Sequence, residues 1–331
     1  MLPRVGIVSF AGDLHVKAIE NSIKALDAEV IVHVFEVDNL AAYPGFFECS
    51  LGGCKAVLTD RDSIEVDIGD LCVVWWRRAS FPQKNTLGDP ESPDSKIINR
   101  DSYAFVEGLF LTSFFGEWVN HPLSARAAEN KLIQIACARS AGLCIPETIF
   151  TNHYGRIQKA QSEEGEYIVK TIAGLPGKSL LTQRLSSELL ESAGVSESPA
   201  CYQSMVVGGT HLRVLVAGMS YAAAKIESFE VDSRSDAFSI TTPTDIDPDL
   251  LRKLTLVLSG LNLSMGIFDL KIGKHAVPNF LEANQQGQFL YLDVMAGCSF
   301  VPTVARYLMS AARRVCLSRR STSEFNIVRV N

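Results

Sequence analysis

The sequence predicts an α/β protein, with an open α/β sheet over its first third and two mixed α+β lobes after it. Three observations predict this. Short β-branched runs alternate with amphipathic stretches in the first third, which is the pattern of strands alternating with helices. Later strand candidates come in pairs around glycine turns, as in antiparallel sheets. The length, 331 residues, suits two or three compact lobes, each with a core.

Taken in order, residues 5–10 read as a strand, 16–26 as a helix, and 30–37 and 71–76 as strands. Residues 81–95 carry three prolines among polar residues and read as a loop before a helix starting near Ile97. His121-Pro122 closes that element. Residues 124–141 read as one long helix, with Gly142 at its stop and Pro146 beyond. Residues 147–151 follow as a strand, 152–155 as a turn, 167–171 as a strand, and 186–193 as a helix. Residues 201–207 and 212–217 read as strands around Gly208-Gly209, and 221–228 as a third strand. A helix over 248–261 precedes a hairpin, 265–272 with 277–283, through Gly273-Lys274. Residues 300–317 form the closing helix. The expected divisions are 1–119, 120–200 and 201–331.

Hydrophobic residues make up 47% and charged residues 21%, a globular balance rather than a disordered one. The formal net charge of -6 comes without a basic block, which argues against a nucleic-acid footprint. Arg313, Arg314, Arg319 and Arg320 near the end read as the solvated face of the last helix. The eight cysteines show no CxxC pair; Cys49 and Cys54, like Cys137 and Cys144, have no histidine at zinc-site spacing. The expectation is a reduced protein with buried thiols. The first apolar run is too short for a signal peptide, and none approaches a membrane span, so a soluble, cytoplasmic protein is expected.

The last hairpin holds the strongest chemical signal. Asp269 sits inside an apolar strand, and Glu282 and Asn284, two apart on the partner strand, share a face. Charge in such a setting is costly unless it is paired or binds a metal. Three oxygen donors suit Mg²⁺, which prefers hard ligands; the alternative is an exposed face with solvated acids. Lys170 ends a strand and the loop Gly174-Leu175-Pro176-Gly177-Lys178-Ser179 follows at once. Ile172 stands where a P-loop needs its first glycine, which argues against a Walker-type site, although amides of such a loop can still cover phosphates. Lys170 alone reads equally as a lysine reaching solvent, and Lys131, Arg213 and Arg234 alone as surface charges. Arg77 and Arg78 stand at a strand end, a usual place for ligand contacts in α/β sheets. There is no GxGxxG, GxSxG or HExxH. The histidines are dispersed and read as structural, His211 least firmly.

The order of these segments resembles the ATP-grasp graspetide synthetases, the macrocyclases of microviridin-type ribosomal peptides. The resemblance runs through Asp13-Leu14-His15, VVWWRR at 73–78, the stretch 120–152, IVK at 168–170, LLT at 180–182, YQSMV at 202–206, HLRVLVAG at 211–218, DSR at 232–234, FDL at 268–270 and FLEANQQGQ at 280–288. It implies an ATP-grasp fold with an N-terminal pre-ATP-grasp domain, ATP and Mg²⁺ as cofactors, a precursor peptide with leader and core as partner, and a homodimer. It matches Lys131 and Lys170 to phosphate-contacting lysines, with Lys178 in the covering loop. Gln203, Ser204, Met205 and Val206 match the inter-lobe segment whose backbone reads adenine. Arg213 and Arg234 match arginines near the γ-phosphate and the acceptor carboxylate, and Asp269, Glu282 and Asn284 the magnesium ligands. Arg77, Arg78, His211 and Arg234 are the expected substrate contacts, and the hairpin near 211–224 the expected leader surface. Ser204 and His211 stand where an acidic residue is usual, Ser233 where Trp is frequent, and Asn284-Gln285 where Asn-Pro is frequent. Two other readings stay open: an ATP-grasp ligase that joins a free amino acid to a small acid or a protein tail, and a nucleotide-gated peptide-binding subunit without catalysis.

Overall fold

The computed structural model describes residues 2–79, 82–84, 89, 91–173, 182–191, 194–228, 230, 236, 239–273 and 276–328. The chain divides into two compact units. One is Met1–Pro122 with Gln288–Leu290 and Val301–Asn331; the other is Leu123–Gly287 with Tyr291–Phe300.

The first unit begins with β1 (Arg4–Ser9), α1 (Leu14–Leu26) and β2 (Ile31–Glu36). It continues through β3 (Gly45–Ser50), β4 (Gly53–Thr59), β5 (Glu65–Asp67), β6 (Val73–Trp76), α2 (Pro93–Ser113) and β7 (Glu117–Val119). Strands β2-β1-β6-β7 make a parallel sheet in that order. The buried Val5, Ile7, Val8, Val73 and Val74 fill it, as a sheet covered on both faces requires. The Asp13 side chain caps α1, and Val16, Ile19 and Ile23 recur at helical spacing on its buried face. Helix α2 starts at Pro93 rather than near Ile97, because Ser92 caps it and proline suits its first turn.

A second, antiparallel sheet, β3-β4-β5, occupies a stretch where the sequence suggested no element. It corrects the expectation of eight reduced, buried thiols. Cys49 and Cys54 face each other across the β3–β4 hairpin and form a disulfide. Of the remaining cysteines, Cys144 is exposed and Cys137 half-buried; the other four are buried.

The second unit opens with α3 (Pro122–Ala127) and α4 (Lys131–Ser140) in place of one long helix. The break lies at Asn130, whose side chain accepts from Leu132 N–H at 2.9 Å and so starts a new helix. Next come β8 (Thr148–Thr151), α5 (Tyr154–Glu164), β9 (Tyr167–Lys170), β10 (Gln183–Arg184), α6 (Ser187–Glu191), α7 (Gly194–Glu197) and β11 (Ala200–Ser204). Helix α5 starts where the sequence suggested only a turn. Strands β10-β9-β11-β8 form an antiparallel sheet packed on Ile157, Tyr167, Leu190 and Tyr202.

The chain then makes β12 (Thr210–Ala217), β13 (Ser220–Glu227), β14 (Ile240–Pro243), α8 (Pro248–Gly260), β15 (Met265–Ile272) and β16 (Pro278–Asn284). Strands β14-β13-β12-β15-β16 form the other antiparallel sheet. Val214, Val216, Phe268 and Phe280 of this sheet pack with Leu254, Val257 and Leu258 of α8 and Ala138 of α4. The expected pairing of β11 with β12 around Gly208-Gly209 is corrected: β11 pairs with β8 and β9, and β12 with β13 and β15. Gly208 carries the chain between the two sheets. A Cβ there would stand 2.3 Å from the carbonyl oxygen of Ile272, so only glycine passes.

Helices α9 (Leu290–Ala296) and α10 (Phe300–Val328) close the chain. The basic tail is more than a solvated face: Arg314 donates to both Glu117 oxygens at 2.9 Å, Arg313 pairs with Asp27, and Arg319 donates to Gly69 O at 3.1 Å. Among the described residues, no helix is long and apolar enough to cross a membrane.

Candidate active site

Strands β15 and β16 run antiparallel, with Asp269 opposite Glu282 and Ile267 opposite Asn284. The register shifts between Asp269 and Leu270, since Leu270 faces Phe280. This bulge gives β16 an extra residue and re-aims the side chains beyond it. Asn284 Nδ2 lies 3.0 Å from Asp269 Oδ2 and 3.2 Å from Glu282 Oε1. The two carboxylates and the carboxamide therefore converge on one place.

Two like charges this close demand compensation. Arg213, opposite Asp269 on β12, donates Nη1 to Asp269 Oδ1 at 2.6 Å. Lys131, the first residue of α4, places Nζ 3.6 Å from Glu282 Oε2. Burial alone would lower the Arg213 pKa, but Asp269, Tyr291 and Glu282 together outweigh it and the guanidinium is held more firmly charged than usual. Lys170, at the end of β9, donates Nζ to Gln203 Oε1 at 3.0 Å, and Gln203 Nε2 donates to Thr148 Oγ1 at 2.9 Å. Its pKa lies below the ordinary 10.5 because burial disfavours the ammonium, with Glu282 and Asp269 pulling back upward and Lys131 adding to the depression. Cys201 pairs with Lys170 across β11 and β9, and burial pushes its thiol up to about 11.

The structure thus brings Lys131, Lys170, Gln203, Arg213, Asp269, Glu282 and Asn284 into one unit. His211 lies on β12 two residues from Arg213, opposite Lys271, and is buried. Ser204, Met205 and Val206 lead out of β11; Ser204 N–H bonds Glu147 O and Met205 N–H bonds Glu166 O, both at 2.8 Å. Lys178 and Arg234 lie outside the described residues.

Arg77 and Arg78 belong to the first unit. Arg77 is 1% exposed and donates Nε to Asp13 Oδ2 at 2.7 Å, with its guanidinium 5.1 Å from the Trp75 ring centre. Burial lowers its pKa to about 10, against the opposing pull of Asp13. A side chain this enclosed holds the loop after β1 through the Asp13 carboxylate. Arg78 is half-buried.

Three neighbours of the site were missed in the sequence. Lys271, two residues beyond Asp269 on β15, is buried, and burial, then Arg184 and Lys170, lower its pKa. A lysine inside an apolar strand was the available signal. Thr148 and Gln134 give no such signal, since both types are ordinary in strands and helices.

The two carboxylates offer oxygen donors and Asn284 would add its Oδ1 once the amide turned over; such an oxygen set, flanked by cations, fits Mg²⁺ better than a softer metal. It counts two carboxylates: among the described residues, no group of three or more His, Cys, Asp or Glu gathers at metal-binding distance.

No family model matches the chain, and no curated protein does. Solved structures do. The macrocyclase MdnC from Microcystis aeruginosa MRC, solved with precursor peptide MdnA, superposes with a TM-score of 0.79 at 21% identity, over 92% of this chain and 99% of MdnC. A Chryseobacterium gregarium RiPP-associated ATP-grasp ligase, solved with ADP and a leader and core peptide, gives 0.79 at 19% identity, over 96% and 97%. The ATP-grasp ligase PsnB, solved with a variant of its minimal precursor, Mg and ADP, gives 0.75 at 19%, over 94% and 100%. Agreement over nearly the full length of each chain gives this chain the fold of the ATP-grasp ligases.

Proposed function

We propose that the chain is an ATP- and Mg²⁺-dependent carboxylate ligase that closes ester or amide rings in a ribosomal precursor peptide. The observation that carries this reading is the meeting of Asp269, Glu282 and Asn284 with Arg213, Lys131 and Lys170 inside an ATP-grasp fold. The precursor peptides held by the similar structures supply the substrate class.

Asp269, Glu282 and Asn284 are the residues that would hold Mg²⁺. Bound there, the ion would supply charge neutralisation to the phosphates, which eases an anionic attack. Lys131 and Lys170 hold the phosphates, with Gln203 fixing the ammonium of Lys170. Lys178 covers them from its loop. The Gln203–Val206 stretch meets the adenine; since Ser204 and Met205 have their N–H groups engaged, their contacts fall to carbonyl oxygens.

An Asp or Glu side chain of the peptide attacks the γ-phosphorus through a carboxylate oxygen. The bond from the γ-phosphorus to its bridging oxygen breaks, and ADP leaves with the electron pair. The resulting acyl phosphate is then attacked at carbon by a Ser or Thr hydroxyl or a Lys amine of the same peptide. The nucleophile loses its proton, the carbon–oxygen bond to phosphate breaks, and phosphate departs. Arg213, with Arg234, stabilises the developing oxyanion. His211 and Arg78 are the remaining peptide contacts, and the β12–β13 hairpin the leader surface. The same reading carries a homodimer in the cytoplasm and lobes divided at 119/120 and 200/201.

The test is mass spectrometry of the peptide encoded beside the gene after incubation with the protein, ATP and Mg²⁺. Loss of one water per ring, with ADP formed, is expected. Added residue masses would replace ring closure by tailing, and no ADP formation at all would leave a binding subunit.

A further inference from the structure

We infer that Gln134 is a positioning residue for the metal-binding strand, setting where Glu282 and Asn284 stand relative to Lys131. The inference rests on the reading of those side chains as a magnesium site.

Strand β16 is the outer strand of its sheet, so alternate peptide groups on it face away from β15. Ala283, between Glu282 and Asn284, is such a residue. Its N–H donates to Gln134 Oε1 at 3.0 Å, and its C=O accepts from Gln134 Nε2 at 2.9 Å. One side-chain amide thus plays the part of a missing neighbour strand. The same Nε2 donates to Ala128 O at 2.6 Å, just before the break between α3 and α4. Gln134 is only 4% exposed, so its amide has no competing water.

Position explains what this clamp governs. Lys131 lies one turn before Gln134 on α4, on the same side of the helix. It faces Glu282 at 3.6 Å. Beyond Asn284, Gln285 Nε2 donates to Glu129 Oε1 at 3.1 Å. The helix start that carries a phosphate lysine is therefore stitched to the ligand strand on both sides of Asn284. Glu282 and Asn284 flank Ala283 directly, so a shift of its peptide moves both. An apolar residue at 134 would leave the N–H and C=O of Ala283 and the C=O of Ala128 without this partner.

The test measures ADP affinity by calorimetry across a Mg²⁺ series and in EDTA, with the melting temperature, for wild type, Glu282→Gln and Gln134→Met. Methionine keeps the length and drops the amide. For Gln134→Met the Mg²⁺ concentration giving half of the metal-dependent affinity should rise about tenfold or more, the range for residues that orient a ligand. Affinity for ADP in EDTA should stay at the wild-type value. A residue that merely fills space would lower the melting temperature and the folded fraction while leaving the Mg²⁺ dependence of the folded protein unchanged. That result overturns the inference. If Glu282→Gln also leaves the Mg²⁺ dependence unchanged, the magnesium reading itself falls. If Glu282→Gln abolishes it and Gln134→Met does not move it, only the role of Gln134 falls. Should Gln134→Met not fold, Gln134→Glu, which keeps an acceptor for Ala283 N–H and loses both donors, carries the same expectations.

Discussion

Glu282 answers to two neighbours at once: Oε1 accepts from Asn284, and Oε2 faces Lys131. Glutamine at this position keeps the volume and removes the charge. We expect Mg²⁺-dependent ADP formation by Glu282→Gln to fall by about 100-fold or more, at or beyond the upper end of the ~10–100-fold typical of residues that only support a metal ligand. The melting temperature should stay within about 4 °C of wild type; an active variant would remove the assignment. Lys170 gives a prediction in pH. Burial holds its pKa below 10.5, so its ammonium is lost at lower pH than an exposed lysine's. The value of kcat/KM for ATP should therefore fall as pH rises through that lowered pKa, because the charge facing the phosphates disappears. Lys170→Arg should move this limb to higher pH, since a guanidinium stays charged. An alkaline limb that does not shift would assign the titration elsewhere.

Gly208 sits on the link between β11 and β12, against the backbone of Ile272. A methyl group 2.3 Å from a carbonyl oxygen forces the link aside, so Gly208→Ala should cost about 1–3 kcal/mol of stability in urea unfolding. A variant as stable as wild type would show that the crossing has slack. The elements visible in the sequence were those with one clear pattern: β1, β2, β6 and β15 are mostly apolar runs with consecutive buried residues, and α1 and α8 repeat their buried residues at helical spacing. Strand β3 stayed hidden because most of it is exposed, so no alternation marks it. Helix α5 stayed hidden because, among its described residues, Ile157 and Ala160 alone join the core, too few to declare a period. The break after α3 is written in one asparagine, which a periodicity count passes over. Site residues split along the same line. An acid inside an apolar strand is conspicuous, whereas Gln134 acts on a residue 149 positions away and looks like any helical glutamine until the fold joins them.

At the scale of the molecule, the site residues that the structure describes together all lie in the second unit. Ligand that binds only the folded form stabilises it by mass action, by about 2.7 kcal/mol at a hundredfold excess over Kd. Saturating ADP with Mg²⁺ should raise the melting temperature, and amide exchange should slow most in β9, β11, β15 and β16. Slowing confined to β1, β2 and β6 would place the nucleotide elsewhere. Cys144 bears on how such measurements can be made. It is the exposed one among the cysteines outside the disulfide, its Sγ lies 3.1 Å from Asn279 Oδ1, and its carbonyl holds Phe280 N–H at 2.8 Å. A maleimide dye therefore has a native anchorage beside the strand that ends in Glu282 and Asn284. Fluorescence from that anchorage would follow ion uptake without any engineered label site.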